Sequence, residues 1–186
     1  MTKDRTGRII GASFGLFFVQ ANAGALPTRI SAPLRVLAGA AFVALVVFGG
    51  RGGRAGAGGR TGGAEPASGG PGFGRRYWFV VAAEVVGLVA GLVVTGRVLH
   101  APQAAVGWIA FVVGVHFFGL AAAWRRPQLH VLGAALAACG AGGLVLAALG
   151  ASGAAIATVA GILPGVLLLG SVWWSGRPGQ EVAPAA

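Results

Sequence analysis

The chain has 186 residues, of which 56% are hydrophobic and only 10% charged, with 35 glycines and a formal net charge of +10. Soluble domains carry about 25% charged residues, so this chain has too few to wet the surface of a soluble globule. A soluble enzyme and a nucleic-acid-binding globule both fit poorly, and the lone Cys139 cannot form an intramolecular disulfide, so a stapled secreted domain fits no better.

The apolar runs predict an all-α chain, a polytopic membrane protein folded as a six-transmembrane-helix bundle. A helix needs about 20 apolar residues to cross a bilayer. In lipid such runs must be helical, because an open strand edge leaves backbone groups unpaired. Their continuous apolar character, without two-residue alternation, argues against a barrel. The first span covers 9–26 and stops at Pro27. Basic residues precede it and Ala21-Asn22-Ala23 resembles a small-x-small cleavage site, so residues 1–23 also fit a signal peptide. The second span, 33–48, is the shortest. Residues 49–76 are rich in glycine and arginine and lack apolar periodicity, which predicts a flexible cytoplasmic loop. Its Arg51, Arg54 and Arg60, with Arg75 and Arg76, can meet anionic lipid headgroups, at about 1 kcal/mol for each basic residue near the surface. The simpler reading is a solvated linker that fixes topology, and no nucleic-acid partner is expected. Four more spans follow, at 77–96, 103–124, 129–149 and 152–174.

Charge placement orients these spans. With the N-terminus inside, the cytoplasmic segments hold Lys3, Arg5, Arg8, Arg51, Arg54, Arg60, Arg75, Arg76, Arg125, Arg126 and Arg177. The other side holds only Arg29, Arg35 and Arg97. Eleven basic residues against three is a positive-inside signal, so the expected topology is N-in/C-in in a bacterial cytoplasmic membrane. Tyr77, Trp78, Trp124, Trp173 and Trp174 fall at cytoplasmic helix ends, where interfacial aromatics belong. Trp108 is the candidate for the outer interface.

Two ionisable side chains lie well inside the spans, Glu84 and His116. Charged groups at a helix centre cost about 2.5 to 3.5 kcal/mol on insertion scales and commonly have a partner. Glu84 follows Tyr77 by seven residues, roughly 10 Å along a helix, and His116 precedes Trp124 by eight, roughly 12 Å. On consecutive antiparallel helices the two can meet at one level. Glu84, Gly87, Leu88, Gly91 and Thr95 share one helical stripe, and Gly87 with Gly91 forms a small-xxx-small packing motif. A buried Glu84–His116 pair reads functionally as a proton relay or a polar ligand site. Structurally it reads as a clamp between helices, worth about 1 kcal/mol. The clamp is favoured, because one pair lacks the further carriers a relay needs.

Gln20 and Asn22 are secondary polar positions in the first span, and Pro164 interrupts the sixth between Gly161 and Gly165. A proline there can kink the helix and free a carbonyl, and the flanking glycines allow close helix approach. Broken helices mark many transport sites, although single proline kinks commonly serve packing. The three histidines fall at different depths, so neither a metal nor a cofactor is expected. Gly11-Ala12-Ser13-Phe14-Gly15 matches G-x-S-x-G but lies inside a helix, whereas the hydrolase elbow needs a strand–turn–helix. Gly150-Ala151-Ser152-Gly153 resembles the serine motif of rhomboid proteases, yet no histidine follows Ser152 to act as base.

Gly114-Val115-His116-Phe117-Phe118-Gly119-Leu120-Ala121 resembles a G-x-H-F-x-x-L-A stretch of small bacterial, often actinobacterial, integral membrane proteins. The resemblance covers eight residues, implies a multi-pass bacterial membrane family and singles out His116. It implies no activity. Two functions follow as expectations: a small transporter or permease-like protein with a buried Glu–His pair, or a non-catalytic scaffold or regulatory subunit of a membrane complex. A homo-oligomer is compatible with the glycine-rich faces, and an intramembrane enzyme ranks third. The helix count allows a 3+3 inverted repeat, but the halves show no convincing sequence match.

Overall fold

The computed structural model describes residues 3–48, 75–124 and 127–174, and among these it contains helices and no strand. Helix α1 (Lys3–Asn22) closes in a 3₁₀ turn at Ala23–Ala25. Helix α2 spans Thr28–Phe48, and α3 spans Arg75–Val93 before widening into a π turn at Val94–Val98. Helices α4 (Ala104–Trp124) and α5 (Gln128–Ala148) form a hairpin. The last helix has three parts: α6 (Gly153–Ala157), a π turn at Thr158–Ile162, and α7 (Leu163–Trp174).

Two helix starts differ from the sequence expectation. The first helix begins at Lys3 rather than at residue 9. The second begins at Thr28 rather than at Pro33. The Pro27 carbonyl accepts the amides of Ile30 (2.8 Å) and Ser31 (3.0 Å) and so nucleates the turn. Pro33 then sits in the second turn, where its missing N–H frees the carbonyl four residues back, that of the exposed Arg29 near the helix end. The extra turn lengthens the apolar helix to a 20-residue stretch, Thr28–Val47.

Among the described residues four helices are long and apolar enough to cross a membrane: Thr28–Val47, Ala104–Ala122, Gln128–Ala148 and Gly153–Trp174. Their outer faces carry large apolar side chains, such as Val36 at 70% and Val131 at 73% exposure, and Val86 of α3 is 68% exposed. Soluble monomers rarely expose contiguous apolar patches larger than a few hundred square ångströms. The fold is therefore that of a helical membrane protein.

The broken last helix is the centre of the bundle, with 56% of its span buried, against 11% for α2 at the rim. Ala12, Val19, Ala38, Leu169 and Val172 pack α1, α2 and α7 together. Phe18, Ala110, Leu136 and Leu168 join α1 and α7 to the hairpin, and Ala104, Ala147 and Ile156 close its far end. Glycines set how near the backbones come. A Cβ on Gly107 would lie 2.8 Å from the Leu144 amide nitrogen, and one on Gly114 or Gly140 would strike the backbone of Ala137 or Phe111. The spacing of seven between Gly107 and Gly114, and between Gly133 and Gly140, repeats the notch every two turns along the α4–α5 seam. Gly15 and Gly165 do the same between α1 and α7, each placing its carbonyl against the other. The turn from α5 to α6 uses Gly150 at φ 69°, with the Ala151 amide donating to the Leu146 carbonyl at 2.9 Å.

Candidate functional site

Helix α3 lies at the edge of the bundle, where its main neighbour is α4. Consecutive and antiparallel, the two helices are held by two polar ties at different levels. Nearer the start of α3, Glu84 Oε2 contacts His116 Nδ1, the two side chains being 24% and 23% accessible. Nearer its end, Trp108 donates its indole N–H to the Gly87 carbonyl at 3.3 Å. The indole lies directly over Gly91, where any Cβ would collide with it.

The pair is therefore half-buried and set in a two-helix seam. His116 Nδ1 itself is enclosed and makes no aligned hydrogen bond despite its contact with the carboxylate. The Phe117 ring stands edge-on beside the imidazole, with ring centroids 6.4 Å apart. A carboxylate only accepts hydrogen bonds, and an imidazole nitrogen accepts or donates according to where its proton sits. The arrangement can hold a proton between two helices, and it can hold the helices together.

The glycines of the α3 stripe divide. Gly91 makes the close approach, but against an indole rather than a backbone. A Cβ on Gly87 would meet nothing within 4 Å, so Gly87 contributes its carbonyl and not a notch. Thr95 closes the stripe, buried, with its hydroxyl donating to the Gly91 carbonyl at 2.8 Å.

The other polar positions belong to different seams. Gln20 Nε2 donates to the Arg35 carbonyl at 3.1 Å, and Arg35 Nη2 donates back to the Gln20 carbonyl at 3.4 Å, which ties α1 to α2. Asn22 donates to the Phe18 carbonyl at 2.8 Å, and its side chain fills the space over Gly161. That space lies beside the π turn, where the Leu163 amide donates five residues back to the Thr158 carbonyl. Pro164 follows at once, so the widening falls just where the chain loses a donor. Gly165 packs on Gly15 and Val19.

Neither serine motif builds a catalytic site. Ser13 Oγ donates to the Ile9 carbonyl at 2.8 Å within α1, and Ser152 Oγ caps α6 by accepting the Ala155 amide at 3.3 Å. Among the described residues no three His, Cys, Asp or Glu side chains gather where they could hold a metal ion. Cys139 is a free, half-buried thiol in α5. Arg51, Arg54 and Arg60 lie outside the described residues, and Arg75 and Arg76 open α3.

Trp108 is the residue whose role the sequence pattern concealed. Its place near a span end marked it as an interfacial aromatic, and the structure adds a packing role, with the indole partly buried against α3. The seven-residue spacing of Gly107 with Gly114 and of Gly133 with Gly140 is a signal in the sequence from which the α4–α5 seam could have been found. Comparison with known proteins finds no matching family model, no matching curated protein and no matching solved structure.

Proposed function

We propose that the chain is a six-span protein of a bacterial cytoplasmic membrane, N-in/C-in, that serves as a non-catalytic component scaffolding or regulating a membrane partner. Helices α1 and α3 add two crossings to the four apolar helices. The eleven-to-three division of basic residues supports this orientation. The carrying observation is the position of Glu84 and His116. They close a two-helix seam at the edge of the bundle, while glycine-close backbones and buried residues such as Ala110, Leu136 and Ala160 pack its interior. Such a body is suited to holding shape and presenting an edge helix. Arg51, Arg54, Arg60, Arg75 and Arg76 are placed in the sequence to meet anionic headgroups on the cytoplasmic face.

One observation favours transport as a second reading. The most buried helix is the broken one, with its π turn, Pro164 and the Asn22 side chain at one level, and interrupted helices recur at transport sites. Reconstitution into vesicles loaded with a pH-sensitive dye separates the two. With a potassium diffusion potential applied, the scaffold reading expects no proton flux above that of empty vesicles. A flux that disappears in Glu84→Gln would replace it with proton-linked transport.

A further inference from the structure

The enclosed nitrogen constrains where the protons of the Glu84–His116 pair can sit. A neutral imidazole carries one N–H, on Nδ1 or on Nε2. An ionised carboxylate facing a bare Nδ1 would set lone pair against lone pair, so with one proton in the pair that proton is on Nδ1. His116 Nε2 is in a different position. Nδ1 is the one enclosed, unbonded side-chain nitrogen or oxygen among the described residues, and no described group bonds to Nε2. Nε2 is therefore reachable at the surface of the half-buried seam.

We infer that Glu84 is a positioning residue that holds His116 as its Nδ1–H tautomer and leaves Nε2 as an open proton-binding site on the α3–α4 seam. The proton balance is simple. A proton adds to the Nε2 lone pair, no bond breaks, and the pair passes from a net charge of −1 to zero. The inference rests on the pair alone and holds whether the chain scaffolds or transports. The titratable and charged groups on the elements around the site are few. Helix α3 contributes Glu84, with Arg75 and Arg76 at its start and Arg97 in the π turn beyond its other end. Helix α5 contributes Cys139 and His130, and the His130 ring lies against Phe118 with centroids 5.9 Å apart. Helix α6 and the π turn after it contain no ionisable side chain.

The test is ¹⁵N-histidine magnetic resonance of the full-length protein in lipid vesicles, with the His116 signals assigned by their loss in His116→Gln. At alkaline pH the expected spectrum shows a protonated Nδ1 and a bare Nε2. On acidification Nε2 gains the proton and its signal shifts, while Nδ1 stays protonated. Glu84→Leu removes the acceptor and should return His116 to the Nε2–H form that an unpaired histidine side chain prefers. Glu84→Gln keeps an acceptor oxygen and should preserve Nδ1–H. A bare Nδ1 with a protonated Nε2 in the unaltered protein overturns the assignment, as does an Nε2 protonated at every pH. The unaltered protein alone decides the matter if Glu84→Leu fails to fold.

Discussion

Gly140→Ala and Gly114→Ala are each expected to lower bundle stability by about 3 kcal/mol, the upper part of the range for overpacked cores. The cause is geometric. The added methyl at residue 140 would enter the backbone of Phe111, and at residue 114 that of Ala137. A helix backbone cannot rotate away as a side-chain tip can, so the hairpin must open along its length. Opening it also loosens Ala110 and Leu136, through which α4 and α5 pack on α1 and α7. Gly39→Ala and Gly170→Ala are the internal controls, because a Cβ at either position meets nothing within 4 Å. Alanine favours a helix over glycine by about 1 kcal/mol in peptides, so the controls should be neutral or slightly stabilising. Denaturant titration in mild detergent measures all four. Equal effects at Gly140 and Gly39 would show that the two helix backbones are not in contact.

Breaking the pair at the α3–α4 seam is expected to have a smaller but more local effect. Removing one partner of a fully buried ion pair costs about 3 to 5 kcal/mol. Glu84 and His116 are each about a quarter accessible, so that figure is an upper bound. Pairwise polar couplings between membrane helices average near 0.6 kcal/mol and reach about 1.7. A double-mutant cycle of Glu84→Gln and His116→Gln should therefore give a coupling of about 1 kcal/mol. Amide exchange should rise in α3 and stay unchanged in α1 and α7, because α3 is otherwise tied mainly by Trp108 over Gly87 and Gly91. Strictly additive losses would mean that the two side chains do not interact.

The seam was legible in the sequence because depth along a helix is a counting problem. Each of the two residues lies seven or eight positions from an aromatic that marks a span end. Consecutive helices run antiparallel, so equal counts bring the residues level. Counting does not fix rotation about the helix axis, and there the reading of α3 divides. Gly87 and Gly91 lie one turn apart on the same stripe, yet the indole from α4 covers only Gly91. An indole filling a glycine notch depends on the rotamer of a residue 17 positions away in the sequence. Pro33 misled for a different reason. A proline is read as a helix boundary, but one turn from an exposed end the lost hydrogen bond costs little, and Pro27 had already started the helix. Pro164 was read as a break, and the π turn just before it is the form the break takes.

The central claim is that α3 crosses the membrane and carries Glu84 within it. Single cysteines placed in a Cys139→Ala background test it directly, at Ser68, Gln103, Ser152 and Ser175. They are challenged in intact cells with a membrane-impermeant thiol reagent. The six-span account predicts that Gln103→Cys and Ser152→Cys are blocked from outside. Ser68→Cys and Ser175→Cys should stay protected until the membrane is opened. Labelling of Ser68→Cys and Gln103→Cys from the same side would contradict the account, because α3 would then not cross.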